Sequence, residues 1–197
     1  MNLEIIPALA LFAFTTSITP GPNNLMLMTS GANFGFKKTL PHMFGVSLGF
    51  SFMVILVGLG IVKIFELFPI SYDILKVLSI VYPLYLAFKI ATSSSEIKSG
   101  KSRSKPMTFL LAAAFQWVNP KGWTMALTAI SVYAPTQSLE AVALISIVYV
   151  VVNIPSVTSW TVLGKQIQRF LTSQKRLQIF NITMATLLVL SLYPALV

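Results

Sequence analysis

The chain has 197 residues, of which 55% are hydrophobic and only 10% charged. Globular domains carry about 25% charged residues, so this composition points to lipid as the solvent and not to an oversized aqueous core. The formal charge of +9 does not mark a nucleic-acid binder, because the basic residues sit in short breaks between apolar runs and form no continuous stripe.

A spanning helix needs roughly 20 mostly apolar residues. Segments 4–30, 40–67, 70–92, 107–133, 139–163 and 177–195 qualify. The expected fold is therefore all-α, with six transmembrane helices in one polytopic membrane domain over 1–197. Its halves are about 1–92 and 107–197, joined by a basic loop, 93–106. "MNLEIIP" lacks the basic n-region of a secretory leader, so no cleaved signal is expected.

The first segment contains "TPGPNN", with Pro20, Gly21, Pro22, Asn23 and Asn24. It cannot end there. Ile5 to Ile18 would cover only about 21 Å at 1.5 Å per residue, short of a hydrocarbon core of roughly 30 Å. The chain must run on to about Ser30, which puts the break near mid-membrane. The second segment follows Lys37 and Lys38 and opens with Pro41 and His42. A lone histidine there reads as an interfacial hydrogen-bonder, with proton carriage as the rival reading. Gly31 and Gly35, then Gly45 and Gly49, make G-x-x-x-G spacings suited to close helix packing within the monomer. Pro83 in the third segment and Pro155 in the fifth read as packing kinks.

The fourth segment is broken like the first. "FQWVNPKGW" holds Gln116, Asn119, Pro120 and Lys121 near its middle. Pro7 and Pro106 stand at similar distances ahead of the two breaks. The first segment runs outside to inside and the fourth inside to outside, the pattern of a three-plus-three inverted repeat with a broken helix opening each half. Each proline removes a backbone N–H and clashes with the carbonyl four residues earlier, so the carbonyls of Thr16, Ile18 and Gln116 are candidates to be freed. In lipid such breaks survive only against protein or a wet cavity. The first N–H groups of each new half-helix, around Asn23, Asn24 and Gly122, suit an anion. Lys121 lies roughly 21 Å from the span ends by helical rise, too deep for easy snorkelling. All five carboxylates sit at segment ends or links, so the partner of Lys121 is a freed carbonyl, an amide such as Asn119, Gln116 or Asn153, water, or a substrate carboxylate. A lysine tied only to carbonyls is the competing reading. Trp117 and Trp123 flank this break and either line a cavity or simply pack.

Charge orients the segments. Lys37 and Lys38, then Lys89, Lys98, Lys101, Arg103 and Lys105, then Lys165, Arg169, Lys175 and Arg176 fall in alternate links. The positive-inside rule makes that side cytoplasmic and both termini external. The multi-pass protein is thus expected in the cytoplasmic (inner) membrane. The sequence has no nucleophile–base arrangement, metal cluster or phosphate loop, so neither a cofactor nor an enzyme activity is expected.

The run "TPGPNNLMLMTSGANFGFKKTLPHMFGVSLGF", with "YLAFKIATS" and "FQWVNPKGW", resembles the LysE/RhtB amino-acid exporters over essentially the whole chain. The double asparagine after Pro22 and the "FKIATS" run look most like the branch that exports cysteine and O-acetylserine. "SIVYPLYL" departs from the family pattern, in which a Gly-Ala pair precedes "YL". The resemblance implies efflux of small amino acids or derivatives driven by the proton motive force, with Pro20 to Asn24 and Asn119 to Lys121 on the family's motif positions. The expected partners are a small zwitterionic amino acid, protons as coupling ion and the bilayer; a homo-oligomer is compatible with the sequence. A passive small-solute channel is the alternative. It shares the broken helices but needs no coupling, and the missing intramembrane carboxylate keeps it open. A membrane enzyme would need a nucleophile with a base or metal, and the only histidine, His42, lies near a segment end; a scaffold does not account for two costly breaks.

Overall fold

The computed structural model describes residues 5–93, 105–134, 136 and 138–193. Every regular element among them is helical. In chain order these are α1 (Ile5–Ile18), α2 (Pro22–Phe34), α3 (Phe36–Gly58), α4 (Lys63–Leu67), α5 (Pro69–Thr92), α6 (Phe109–Phe115), α7 (Pro120–Tyr133), α8 (Leu139–Gln168) and α9 (Gln174–Leu190), with a 3-10 turn, Gln116–Val118, between α6 and α7.

Three helices, α3, α5 and α8, are long and apolar enough to cross a membrane, and a fourth span results if α1 and α2 count together across their 57° bend. Their outer faces fit lipid and not water. Phe52 on α3 is 55% exposed, Phe88 on α5 68% and Val151 on α8 63%, apolar exposure that a soluble monomer does not spread over its whole surface.

Several boundaries differ from the sequence expectation. Gly35, at φ 80°, ends α2 and admits α3 at Phe36, so the second span starts earlier than residue 40. Gly60, at φ 88°, stops it. Only glycine adopts this left-handed backbone without strain. Residues 63–67 form the separate helix α4. The fourth segment is two short helices, and α9 has 17 residues. Helices α5 and α8 run through Pro83 and Pro155 without interruption, as kink prolines would. Most of the basic loop, including Lys98, Lys101 and Arg103, lies outside the described residues, as do both termini.

Packing follows a reciprocal scheme. α1 and α2 both lie against α8, α6 and α7 both lie against α3, α3 meets α8, and α5 meets α9. Glycines set the closest approaches. A Cβ on Gly31 would meet the carbonyl oxygen of Thr161, and one on Gly164 the carbonyl oxygen of Met28. Gly45 and Gly49 likewise face the α6 backbone and side chains at Phe109, Ala112 and Ala113. Backbone contact of this kind is what small residues permit where lipid offers no hydrophobic drive to associate. Gly35 has nothing within 4 Å; it is a turn residue, and the expected packing role applies to Gly31, Gly45 and Gly49 only. Ser51 and Ser146 tie α3 to α8 by exchange, each hydroxyl donating to the other's carbonyl, at 3.3 and 3.1 Å.

Candidate functional site

Both breaks are built alike. α1 runs out at Ile18, with Thr19 N still donating to Thr15 O at 3.3 Å. α2 then opens with Pro22 in its first turn, and α7 opens with Pro120. Proline suits that position because the missing N–H has no intrahelical partner there anyway. Neither half-helix has a side-chain cap, so the first N–H groups, at Asn23, Asn24, Lys121 and Gly122, keep their partial positive charge.

The two breaks meet. Lys121 reaches across from the second and donates to Thr19 O at 2.7 Å and Thr19 Oγ1 at 2.8 Å, with Pro20 O at 3.5 Å. An ammonium at the carbonyl end of α1 sits where the helix dipole favours a cation. Asn23 and Gln116 exchange amide hydrogen bonds, Asn23 Nδ2 to Gln116 Oε1 at 2.8 Å and Gln116 Nε2 to Asn23 Oδ1 at 3.2 Å. Asn24 turns back on its own break and donates to Ser17 O and Thr19 O, both at 2.8 Å.

One small cavity, about 30 Å³, lies at this junction, enough for water. Gly21, Pro22, Asn23, Asn24, Gln116, Asn119, Lys121 and Asn153 line it together. Pro20 is exposed and Pro120 half-buried; they shape the breaks without lining the cavity. The lining also includes Thr16, Ser17, Val46, Phe50, Gly122, Met125 and Val157. Ser17 was marked in the sequence only by lying next to the break. Val46, Phe50, Met125 and Val157 carry no sequence signal that sets them apart from other apolar helix residues. Thr19, which belongs to the "TPGPNN" run, is a hydroxyl partner of Lys121 that the sequence reading did not single out.

The carbonyls expected to be free have protein partners. Thr16 O accepts from Thr19 Oγ1 at 3.0 Å, Ile18 O from Trp160 Nε1 at 3.0 Å, and Gln116 O from Asn119 N at 3.3 Å. A buried unpaired carbonyl is costly, and the fold spends a tryptophan and a threonine to avoid it. The acceptors left over are different atoms. Asn119 Oδ1 and Ser17 Oγ are buried in the cavity wall without a hydrogen-bond partner. The site thus offers donors, from two helix starts and an ammonium, beside unused acceptors. That suits a ligand with both charges.

Gly21 has backbone angles of −176° and 177°, which any residue can adopt. Space is the reason for glycine. A Cβ there would stand 2.9 Å from Lys121 Cδ and 3.2 Å from Nζ. Gly21→Ala is expected to push the ammonium off Thr19 and lower transport about ten-fold, with a melting temperature close to wild type; reconstituted flux and a thermal scan in detergent check both.

His42 is not the hydrogen-bonder the sequence suggests: it is buried and neither ring nitrogen has a hydrogen-bond partner. Because α3 starts at Phe36, His42 lies well inside the helix and is 1% exposed. Trp117 and Trp123 do both things the sequence left open. They pack edge to face at 5.9 Å, and they line an apolar cavity of about 220 Å³ beside α4 and α5.

Cysteine/O-acetylserine efflux proteins of Escherichia coli (strain K12), Escherichia coli O1:K1 / APEC and Shigella sonnei (strain Ss046) are each 29% identical to this chain over 191 residues, 96% of both lengths. No solved structure matches the chain. The match to the family described as LysE type translocator runs over residues 14–192, nearly the whole of the broken-helix framework just described, and the chain belongs to that family of transporters.

Proposed function

We propose that the protein is a secondary transporter that exports small zwitterionic amino acids or their derivatives, cysteine and O-acetylserine among them, by alternating access at the junction of the two breaks. The observation that carries this reading is the contact of the breaks themselves: Lys121 on Thr19, and Asn23 on Gln116. A substrate carboxylate that takes over the Lys121 ammonium and the uncapped half-helix starts would release the two breaks from each other. Asn119 Oδ1 and Ser17 Oγ would accept from the substrate ammonium. The cavity is too small for an amino acid as it stands, as expected of a closed state in an alternating cycle.

Six crossings in two inverted repeats belong to the same proposal. Exchanging α1–α2 with α6–α7, α3 with α8 and α5 with α9 maps the main packing contacts onto one another, which supports this reading. The basic links put one side in the cytoplasm and both termini outside. Export is supported by the likeness to efflux proteins; its coupling to protons is what the resemblance to the exporter family implies.

The test is reconstitution. Proteoliposomes with an imposed pH gradient should concentrate radiolabelled cysteine or O-acetylserine against its gradient, and a protonophore should abolish the accumulation. Equilibration that never exceeds the outside concentration, and that ignores the protonophore, would identify a passive channel instead.

A further inference from the structure

A cavity much larger than the junction lies elsewhere in the molecule. It holds about 480 Å³, within the usual range for small-molecule sites. It lies between α2, α3, α5 and the stretch leading into α6. Lys89, near the end of α5, and Lys105, just before α6, stand in its wall, and both are exposed. These residues flank the basic loop, so the cavity opens on the side that the positive-inside rule makes cytoplasmic. No carboxylate among the described residues pairs with either lysine. Asn33 and Ser93 give the wall a fixed polar strip, held through Asn181, which bonds Asn33 at 2.8 Å and Ser93 at 2.9 Å. His42 also lines the cavity; it is 1% exposed and neither ring nitrogen has a hydrogen-bond partner. A buried imidazole with an idle N–H and an idle lone pair asks for a ligand or water.

An apolar layer separates this chamber from the junction. Leu27, Met43, Val46, Ala112 and Val157 pack as one buried cluster. Val46 and Val157 line the junction cavity, while Met107, packed against the same cluster, lines the chamber.

We infer that the chamber is a cytoplasm-side recruitment site for the exported amino acid, with Lys89 and Lys105 holding its carboxylate at the mouth and the unpartnered His42 imidazole accepting from its ammonium. The inference rests on the transport reading above. Two exposed lysines that pair with no carboxylate among the described residues raise the local concentration of a carboxylate. The remaining wall, largely apolar with Tyr82 and Tyr85, takes an uncharged side chain. The apolar layer is the barrier the substrate crosses to reach the junction.

The test measures KM and maximal rate for cysteine and for its carboxamide, added on the cytoplasmic face of inside-out oriented proteoliposomes. The vesicles are pure phosphatidylcholine, so no anionic headgroup is available to the lysines. In the double variant Lys89→Gln/Lys105→Gln, KM for cysteine is expected to rise about five-fold, with the maximal rate within about two-fold of wild type and KM for the carboxamide unmoved. A Lys165→Gln/Lys175→Gln control removes the same charge from the same membrane side and should leave KM alone. His42→Leu should raise KM for both compounds, because the ammonium is common to them. Removing a buried polar group that has no partner does not endanger the fold. If wild type transports and the Lys89/Lys105 variant matches the control, the chamber is not a recruitment site and the transport reading stands. If wild type moves neither compound, the transport reading fails and takes this inference with it.

Discussion

Lys121→Ala should abolish most transport, by about 100-fold or more in flux, while the protein still folds and inserts. The ammonium makes the direct charged link between the two breaks, at 2.7 Å from Thr19 O. A hydrogen bond to a charged group contributes roughly 1.5–3 kcal/mol, and in the proposed cycle the same ammonium is passed to the substrate carboxylate. Its loss therefore removes both a closed-state contact and a substrate contact. Lys121→Arg should recover little, because Gly21 already stands against the lysine stem and a planar guanidinium needs more room and a different donor geometry. Flux in proteoliposomes, normalised to folded protein by size-exclusion chromatography, measures the effect. Near-wild-type flux in a folded Lys121→Ala protein would remove the junction as the substrate site.

The second large effect is structural. Gly164→Val should cost about 3 kcal/mol or more and lower the melting temperature sharply. Any Cβ at this position falls on the carbonyl of Met28, and backbone cannot step aside as a flexible side chain can. Relief requires α8 to move away from α2, and that interface also carries Gly31 against Thr161. The separation would strip the junction of its support, since Asn23 and Asn24 begin α2 and Asn153 lies on α8. A Cβ at Gly35, by contrast, meets no neighbouring atom, so Gly35→Ala should lose less, through backbone strain at φ 80°. Thermal unfolding of both variants in one detergent compares them.

The proportion of charge and the length of the apolar runs determined the solvent and the all-helical class, because a lipid environment leaves the backbone few alternatives. The sequence also located both helix breaks. Proline acts on its own neighbours through sterics and a missing donor, so its effect is local and readable without a fold. Seven of the nine candidate residues at the breaks line one cavity in the fold, joined by Asn153 from α8. Exact span ends were less readable, because Gly35 and Gly60 stop helices by a backbone conformation that glycine permits but does not require.

What depended on tertiary structure was partnership. Lys121 faces a carbonyl because the fold sets the first break beside it, 102 residues away in the chain. The same holds for Trp160, which closes the Ile18 carbonyl from the far end of the sequence, and for Val46 and Phe50, which reach the cavity only because α3 packs across it. His42 is a further case: nothing in its neighbours along the chain marks it as a buried wall residue of the larger chamber. A hydrogen bond or a cavity wall joins atoms by distance in space, and no local pattern of residue types encodes which distant segment will supply the other half.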